Sequence, residues 1–282
     1  MMGAFIPGIP VGEAVESLID FLVDHFSGMT KVISDITESG IDLLIDVMGF
    51  IPPWLFIVLL SLAAWGVTKR KGVAIFCFLG FFLIDNMGLW QTMISTLALV
   101  CIATLATIAM GIPLGILAAL NHVVYKILMP VLDFMQTMPA FVYLIPAIPF
   151  FGLGKVAAIF STVIFAVPPA IRLTCLGIKQ VPDDLIEAAD SFGSNRWQKL
   201  FKLQIPMATP TIMAGVNQTI MLALSMVVIA SMIGAKGLGG EVWKAIQRLQ
   251  PGKGFEAGLS IVILAIVLDR IMQQLGRRKI LD

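Results

Sequence analysis

The sequence predicts an all-α, polytopic membrane protein: a bundle of transmembrane helices. Of its 282 residues, 58% are hydrophobic and 13% are charged, and the mean hydropathy is +0.95. Soluble domains carry about 25% charged residues. The apolar residues come in long runs, whereas a membrane β-barrel shows short alternating segments. The net charge of +1 gives no reason to expect a nucleic-acid partner.

The first fifty residues predict two amphipathic helices along the outer membrane interface. Apolar side chains recur at helical spacing, first at Leu18, Ile19, Leu22, Val23 and Phe26, and again at Ile41, Leu44, Ile45 and Met48. Eight carboxylates and a single lysine share this stretch, and such an acidic surface disfavours the anionic cytoplasmic leaflet. A soluble extension that packs on the spans is the alternative.

Seven apolar segments are predicted to cross the membrane, since about 20 mostly apolar residues suffice for one span. They are residues 52–68, 73–90, 91–120, 127–151, 156–180, 207–233 and 255–275. A turn at residues 85–91 must separate the second from the third. Three prolines make the fourth irregular, and we expect it to be buried in protein. A short interfacial helix followed by a half-length span is the alternative.

Basic residues predict the orientation of the chain. Clusters follow the first span (TKRKG, residues 68–72) and the last (GRRK, residues 276–279). Further basic residues lie in connections that alternate correctly with these two, at Lys126, Lys179, Arg196, Lys199 and Lys202. By the positive-inside rule, all of them lie in the cytoplasm. The N-terminus is then outside, the C-terminus is cytoplasmic, and the polar stretch at residues 181–210 is cytoplasmic.

This polar stretch begins with a predicted short helix. The Val181-Pro182 pair ends the preceding span, because the residue before a proline avoids helical angles. Asp183 and Asp184 supply capping oxygens and negative charge at the start of the new helix. Its apolar side consists of Leu185, Ile186, Ala189 and Phe192.

A second short helix is predicted to follow a glycine turn. Gly193 permits the left-handed angles that end the first helix, and Ser194 or Asn195 caps the second. Trp197, Leu200 and Phe201 form its apolar side, and Pro206 is expected to stop it at the membrane. A merely solvated loop has no need of this apolar side. A loop that packs on its own spans is the alternative.

The motif EAADSFG, followed after nine residues by LQIP, resembles the EAA loop of ABC-importer permeases. The matching residues are Glu187, Ala188, Ala189, Gly193, Ile205 and Pro206. Leu203 and Ile205 stand where isoleucine and leucine are usual, which is a mild departure. The resemblance implies that this segment, with Asp184 and Leu185, docks on an ATP-binding subunit and couples its motion to the spans.

Three further stretches resemble permeases for glycine betaine and related osmoprotectants: residues 132–154, 166–182 and 217–239. The resemblance covers most of the chain from about residue 50 onward. It implies a MetI-like permease fold in a prokaryotic plasma membrane and a homodimer in contact with lipid. It also implies two ATPase subunits and an extracytoplasmic substrate-binding protein. Residues 1–50 are then an acidic N-terminal segment, and residues 51–282 are the permease domain with its coupling loop at 181–206.

The sequence predicts no cofactor, metal or catalytic centre in this chain. It lacks the G-x-x-x-x-G-K-[S/T] pattern that cradles ATP phosphates. ATP and magnesium are therefore expected on the partner ATPase. His25 and His122 have no metal-binding spacing. A secondary transporter driven by an ion gradient is the alternative function, because proline-broken spans and intramembrane carboxylates would suit it.

Three further groups of residues are candidates for a role in transport. Asp133 and Arg172 are predicted to pair as buried polar residues at the inner ends of two spans. The glycine-rich segment at residues 234–243 is a candidate docking or gating loop, with a plain surface hairpin as the alternative. The translocation path is predicted to be lined by Met138, Phe141, Tyr143, Met221, Ser225 and Met226.

Overall fold

The computed structural model of this chain describes residues 10–278, and all regular structure in that range is helical. The α-helices are α1 (Val11–Phe50), α2 (Pro53–Thr68), α3 (Lys71–Asn86), α4 (Trp90–Leu120), α5 (His122–Thr137), α6 (Leu144–Phe151), α7 (Lys155–Lys179), α8 (Asp183–Ser191), α9 (Arg196–Lys199), α10 (Ile205–Ala230), α11 (Leu238–Gln247) and α12 (Pro251–Arg278). The predicted all-α fold is confirmed. Residues 1–9 of the N-terminal segment and Lys279 of the last basic cluster lie outside the described residues.

The N-terminal segment forms one helix of 40 residues, so the expectation of two separate helices is wrong. No proline interrupts α1, and the apolar spacing continues across the expected break through Met29, Val32, Ile33 and Ile36. α1 and α2 meet at 99°. The C-terminal part of α1 reaches the core, where Ile41 is fully buried and Lys155 of α7 donates to Asp42.

α2 and α3 form a hairpin that leads into α4. Lys69 ends α2 in a left-handed conformation (φ 56°), and its N–H donates to the Trp65 carbonyl at 2.7 Å. The expected turn before α4 is confirmed, with Gly88 at φ 71°. Trp90, the first residue of α4, packs edge-on against Phe56 of α2 with ring centroids 5.5 Å apart. This contact fixes the hairpin against α4.

The centre of the fold is formed by α4, α7 and α10, which approach closely because small residues line their contacts. A Cβ added to Gly115 of α4 would lie 2.6 Å from the Thr174 Cβ of α7. A Cβ added to Gly215 of α10 would lie 3.0 Å from the Leu173 Cβ. Helices in lipid associate through such close packing, since burial from lipid gives little hydrophobic driving force. These three helices therefore hold the bundle together.

The fourth predicted span is broken, and α5 and α6 meet at 113°. The break lies at Met138, which takes an extended conformation (ψ 136°) before Pro139. A 3₁₀ turn at Ala140–Tyr143 joins the two helices, and the Tyr143 hydroxyl donates to the freed carbonyl of Met135. The irregularity is confirmed, in the form of two separate short helices.

The expectation that this whole segment is buried in protein is wrong for α5. Leu132 is its buried residue, whereas Val123, Ile127 and Phe134 are 64%, 65% and 66% exposed. The exposure arises because α5 contacts α4 and α7 along one side, and no element within residues 10–278 covers its other side.

Three helical stretches of the described chain are long and apolar enough to cross a bilayer alone: Trp90–Leu120, Lys155–Lys179 and Arg196–Ile233. The number rises to five if each bent pair, α1 with α2 and α5 with α6, counts as one span. α2 and α3 have 16 residues each, or about 24 Å at 1.5 Å per residue. A typical hydrocarbon core is about 30 Å thick. The count of seven spans therefore stays a prediction.

We expect Gly115→Ala to destabilise the contact between α4 and α7. The new methyl group would meet the Ile171 carbonyl oxygen at 2.7 Å as well as Thr174, and overpacking typically costs about 1–3 kcal/mol. Gly258→Ala in α12 is the matched control, because nothing lies within 4 Å of its added Cβ. In thermal unfolding of the detergent-purified protein, the Gly115→Ala midpoint should fall several degrees below the control. Equal midpoints would contradict this account of the packing.

Candidate functional site

The segment between α7 and α10, residues 181–206, forms a compact helix–turn–helix unit that we term the elbow. It contains α8, a glycine turn, α9 and a π-helical turn at Leu200–Gln204. α7 ends at Lys179, two residues before the Val181-Pro182 pair. The predicted helix–glycine turn–helix arrangement is confirmed.

The start of α8 differs in one detail from the expectation. Asp183 and Asp184 occupy its first turn, while Pro182 is the capping residue and makes no side-chain cap hydrogen bond. The capping role assigned to the two aspartates is therefore wrong, because the helix begins at Asp183 itself. Their negative charges still lie at the positive end of the helix dipole, where they stabilise α8.

The turn between α8 and α9 is held by a dense set of local hydrogen bonds. Gly193 has φ 74°, and the Ser194 N–H donates to the Ala189 carbonyl at 3.0 Å. This i to i+5 bond satisfies a free carbonyl at the end of α8. The left-handed angle explains why glycine stands at position 193.

α9 begins with a complete capping box. The Gln198 N–H donates to Asn195 Oδ1 at 2.8 Å, and the Asn195 N–H donates to Gln198 Oε1 at 2.9 Å. Of the two predicted caps, Asn195 is thus the one used. Lys199 Nζ donates to Asp190 Oδ1 at 2.5 Å and so links α9 to α8. Together these bonds fix the angle of the elbow.

The elbow exposes its largest apolar side chains. The exposed fractions are 90% for Phe192, 70% for Trp197, 59% for Phe201 and 39% for Leu185. The rings of Trp197 and Phe201 stack at 5.9 Å. α8 has no buried residue. The alternative that the elbow packs on its own spans holds for its two ends, where Val181 is 5% exposed and Leu200 is 2% exposed.

The C-terminal side of the elbow continues into α10 without a stop, so the expectation that Pro206 ends the helix is wrong. The chain is helical from Arg196 to Ile233. Pro206 lies in the first turn of α10, directly after the π-helical turn. Because the chain is helical on both sides of Pro206, its missing N–H interrupts the backbone hydrogen bonds, and the π-helical turn just before it accommodates this interruption. Ile205 packs half-buried against Leu200 and Ala208.

Of the EAA-loop residues, Glu187 and Ala188 are exposed and Ala189 is half-buried. Asp184, Leu185 and Gly193 are also exposed. The segment Asp184–Gly193 is therefore accessible on the surface of the chain. The likeness of this segment to a docking motif thus coincides with an accessible surface.

Asp133 of α5 and Arg172 of α7 contact each other, because Arg172 Nη2 donates to Asp133 Oδ1. The side chains are 32% exposed for Arg172 and 66% for Asp133. The expected contact is present, but the expectation that the pair is buried is wrong within this chain. The reason is that α5 is covered on one side alone.

The predicted path residues do not form one surface. Met226 is fully buried and Tyr143 is 4% exposed, both within a core cluster that includes Ile41. Assigning these two to an open path is wrong for this conformation, because they pack against other apolar side chains. Met138 and Met221 are half-buried, while Phe141 and Ser225 are exposed. Ser225 lies one turn after Met221 on α10, and its hydroxyl donates to the Met221 carbonyl at 3.0 Å.

The glycine-rich segment at residues 234–243 is a packed turn and helix rather than a free hairpin. The Leu238 N–H donates to Thr96 Oγ1 of α4 at 2.8 Å, and Leu238 is fully buried. A Cβ on Gly239 would lie 2.5 Å from the Val227 carbonyl oxygen of α10. The glycines thus allow α11 to pack directly on the ends of α4 and α10.

Sequence reasoning missed a polar contact between α10 and α12. Asn217 Nδ2 and Gln273 Nε2 donate to Asp269 Oδ1 at 2.7 Å and 2.8 Å. The available signal was an Asn and an Asp within apolar runs, and such residues usually find partners inside a bundle. Within residues 10–278, no group of three His, Cys, Asp or Glu side chains could hold a metal ion.

Comparison with known proteins gives a consistent family assignment. The family model described as binding-protein-dependent transport system inner membrane component matches residues 111–281, more than half of the chain. The solved structure of the inward-facing MetNI methionine ABC transporter contains a chain with a TM-score of 0.55 and 23% identity. The likeness covers 65% of this chain and 90% of that one. It confirms the predicted permease-type helical bundle.

Three relatives match nearly the whole chain. The glycine betaine transport system permease protein OpuAB of Bacillus subtilis is 49% identical over 274 residues, with 97% of each chain covered. The glycine betaine/carnitine transport permease protein GbuB of Listeria monocytogenes is 51% identical over 276 residues, covering 97% of this chain and 98% of that one. The glycine betaine/proline betaine transport system permease protein ProW of Escherichia coli is 48% identical over 272 residues, covering 95% and 76%.

We expect the pairing of Asp133 with Arg172 to stabilise the contact between α5 and α7. Asp133→Arg and Arg172→Asp each place like charges together, so each should lower the thermal midpoint of the purified protein. The double variant restores opposite charges and should recover part of the loss. Because the pair is partly exposed, we expect an effect of about 1 kcal/mol or less. If the loss of stability in the double variant equals the sum of the losses in the two single variants, the pairing is rejected.

Proposed function

Because this chain belongs to the family of binding-protein-dependent transport system inner membrane components, we propose that it imports glycine betaine as the permease subunit of an ATP-driven transporter. The observation that carries the substrate is the identity of about 50% with permeases named for glycine betaine, over nearly their full length. The permease role itself follows from the family. In this role the chain forms the passage and performs no covalent chemistry.

The proposed complex contains two copies of this chain, two ATPase subunits and an extracytoplasmic substrate-binding protein. ATP and magnesium are bound by the ATPase subunits. The name of the matched family, which refers to binding-protein-dependent transport, supports the binding protein. Two surfaces are exposed and available to a second copy or to lipid: the side of α5 that faces away from α4 and α7, and the side of α10 that carries Ser225.

The elbow is the proposed contact with the ATPase. Asp184, Leu185, Glu187, Ala188, Ala189 and Gly193 belong to the docking segment, and Ile205 and Pro206 join it to α10. Exposed aromatic side chains such as Phe192 and Trp197 suit burial in a groove of a partner, because they remove much apolar surface from water. The salt bridge from Lys199 to Asp190 and the capping box of α9 hold α8 and α9 at a fixed angle, so that the elbow moves as one unit with the ATPase.

The proposed mechanism is alternating access. Closure of the ATPase subunits displaces the docked elbow, and the continuous helix from Arg196 to Ile233 carries this movement into the bundle. The passage then opens toward the binding protein. Among the candidate path residues, Met221 and Ser225 are the ones that the exposure of α10 favours.

The proposed placement in a prokaryotic plasma membrane follows the distribution of charge. The elbow and the turn at Lys69 carry clusters of basic residues, which the positive-inside rule places in the cytoplasm. α1 then lies along the outer interface, which the angle of 99° between α1 and α2 supports. On this division, residues 1–50 form a peripheral segment and residues 51–282 form the permease domain.

Uptake by the reconstituted complex tests the proposed function. Proteoliposomes that contain this chain, its ATPase and its binding protein should accumulate labelled glycine betaine. Accumulation should require ATP on the side of the membrane where the ATPase lies. Gly193→Pro should abolish uptake, because proline cannot adopt the φ of 74° at this turn. ATP-independent uptake driven by an ion gradient would support the secondary-transporter alternative. Absence of uptake with glycine betaine, together with uptake of another solute, would reject the substrate.

Phe192→Ala tests the elbow as the coupling contact. We expect at least a tenfold loss of ATP-driven uptake, since a buried aromatic anchor contributes about 2 kcal/mol or more to an interface. Phe50→Ala at the end of α1 is the matched control, because both phenylalanines are 90% exposed. Binding of the purified ATPase should weaken for Phe192→Ala alone. Equal uptake by the two variants would argue against docking at the elbow.

A further inference from the structure

A cleft of about 470 Å³ lies at the outer ends of α4 and α10, next to α11. Its walls come from the first turns of α4, from the turn after α10 and from one side of α11. The lining residues used below are Gln91, Ser95, Lys236, Glu241, Trp243 and Lys244. The sequence pattern drew attention to residues 234–243 as a loop, but gave no sign that they enclose a cleft with α4.

The charged groups of the cleft are unevenly paired. Lys244 Nζ donates to Glu241 Oε1 at 2.8 Å, so these two largely satisfy each other. Lys236 is exposed, and none of the ion pairs within residues 10–278 includes it. Trp243 is half-buried and contributes an aromatic side chain to the same cleft. The cleft thus combines a cation without a counter-charge, a carboxylate that is already bridged and a tryptophan.

The walls of the cleft are held in place by the backbone. Leu238, between Lys236 and Glu241, is anchored by its N–H to Thr96 Oγ1 of α4. Gly237 has φ 138°, and a Cβ there would lie 2.6 Å from the same Thr96 oxygen. Movement of Lys236 or Trp243 relative to α4 is therefore restricted. A rigid wall spares a ligand the cost of ordering it.

We infer that this cleft is a transient binding site for a zwitterion that carries a carboxylate and a quaternary ammonium group. This inference rests on the proposed function. The carboxylate pairs with Lys236 and accepts from the Gln91 amide. The methylated ammonium lies against the face of Trp243, because quaternary ammonium ions are attracted to aromatic faces. The cleft is open and holds a single tryptophan, so the site releases its ligand readily toward the passage.

Protection of a cysteine tests binding by the permease alone, without a binding protein. Ser95→Cys places a thiol in the cleft, and its labelling by a membrane-impermeant maleimide is followed with the parent protein as background. Glycine betaine at millimolar concentration should slow the labelling severalfold, whereas glycine at the same concentration should not. The same protein with Trp243→Ala added should lose the protection. Equal labelling with and without glycine betaine, or equal protection by glycine, would overturn the inference.

Uptake by the complete complex supplies the second measurement. Trp243→Ala should reduce glycine betaine uptake by roughly two- to thirtyfold, the range expected for loss of a cation–π contact of about 0.5–2 kcal/mol. Trp243→Phe should retain most of it. Trp54→Ala in α2 is the control, because Trp54 is 67% exposed and does not line the cleft.

Stimulation of ATP hydrolysis by the loaded binding protein should be unchanged in Trp243→Ala. A loss of stimulation would overturn the inference and assign the cleft to docking of the binding protein. If the parent complex fails to take up glycine betaine at all, the proposed function fails. If it takes up glycine betaine and Trp243→Ala does so at the parent rate, the inference alone fails.

Discussion

The need to satisfy every backbone hydrogen bond inside lipid governs this fold. Within a bilayer no water replaces a missing partner, so chain in contact with lipid must be helical. The described chain has several breaks between helices, and three of them have a side-chain partner for the freed backbone: Met138–Tyr143, residues 192–195 and residues 234–237. The Tyr143 hydroxyl serves the Met135 carbonyl, the Asn195 side chain caps α9, and Thr96 serves the Leu238 N–H. At these three breaks the sequence therefore supplies specific polar partners.

Features that depend on a few neighbouring residues were predicted correctly from the sequence. Features that depend on packing between helices were not. Gly193 and Asn195 followed from turn and capping rules that depend on a few neighbouring residues. The pairing of Asp133 with Arg172 was predictable because both are charges in apolar surroundings. The single helix α1 was missed although the apolar spacing continues through Met29, Val32 and Ile36 between the two predicted patches. Periodicity could not show which side of α10 faces the core, so Met226 was placed on the path although it is fully buried.

Exposure distinguishes the two kinds of apolar surface in this chain. Along α5 the exposed side chains are mostly aliphatic and aromatic, and they share the helix with two charges, Lys126 and Asp133, of which Asp133 is paired with Arg172. On the elbow, Phe192 and Trp197 stand among Asp190, Arg196 and Lys199. Charged neighbours disfavour insertion into lipid, and an apolar centre with a polar rim is typical of a protein interface. The elbow is therefore the surface of this chain best suited to a protein partner.

One helical path connects the elbow with the outer cleft. The chain is helical over the 38 residues from Arg196 to Ile233, about 57 Å at 1.5 Å per residue. Trp197 lies at one end of this path, and Ser231 at the other end borders the cleft.

Pro206 and Pro210 lie near the elbow, and both remove a backbone donor, so bending is easiest there. Beyond them, α10 packs against α7 at Gly215, where close backbone contact leaves little room for bending. A displacement at the elbow therefore reaches the outer side as a shift of the whole outer part of α10 rather than as local bending. Since α11 packs on α10 at Gly239 and is bonded to α4 through Leu238 and Thr96, such a shift acts on the contact that holds the cleft walls together.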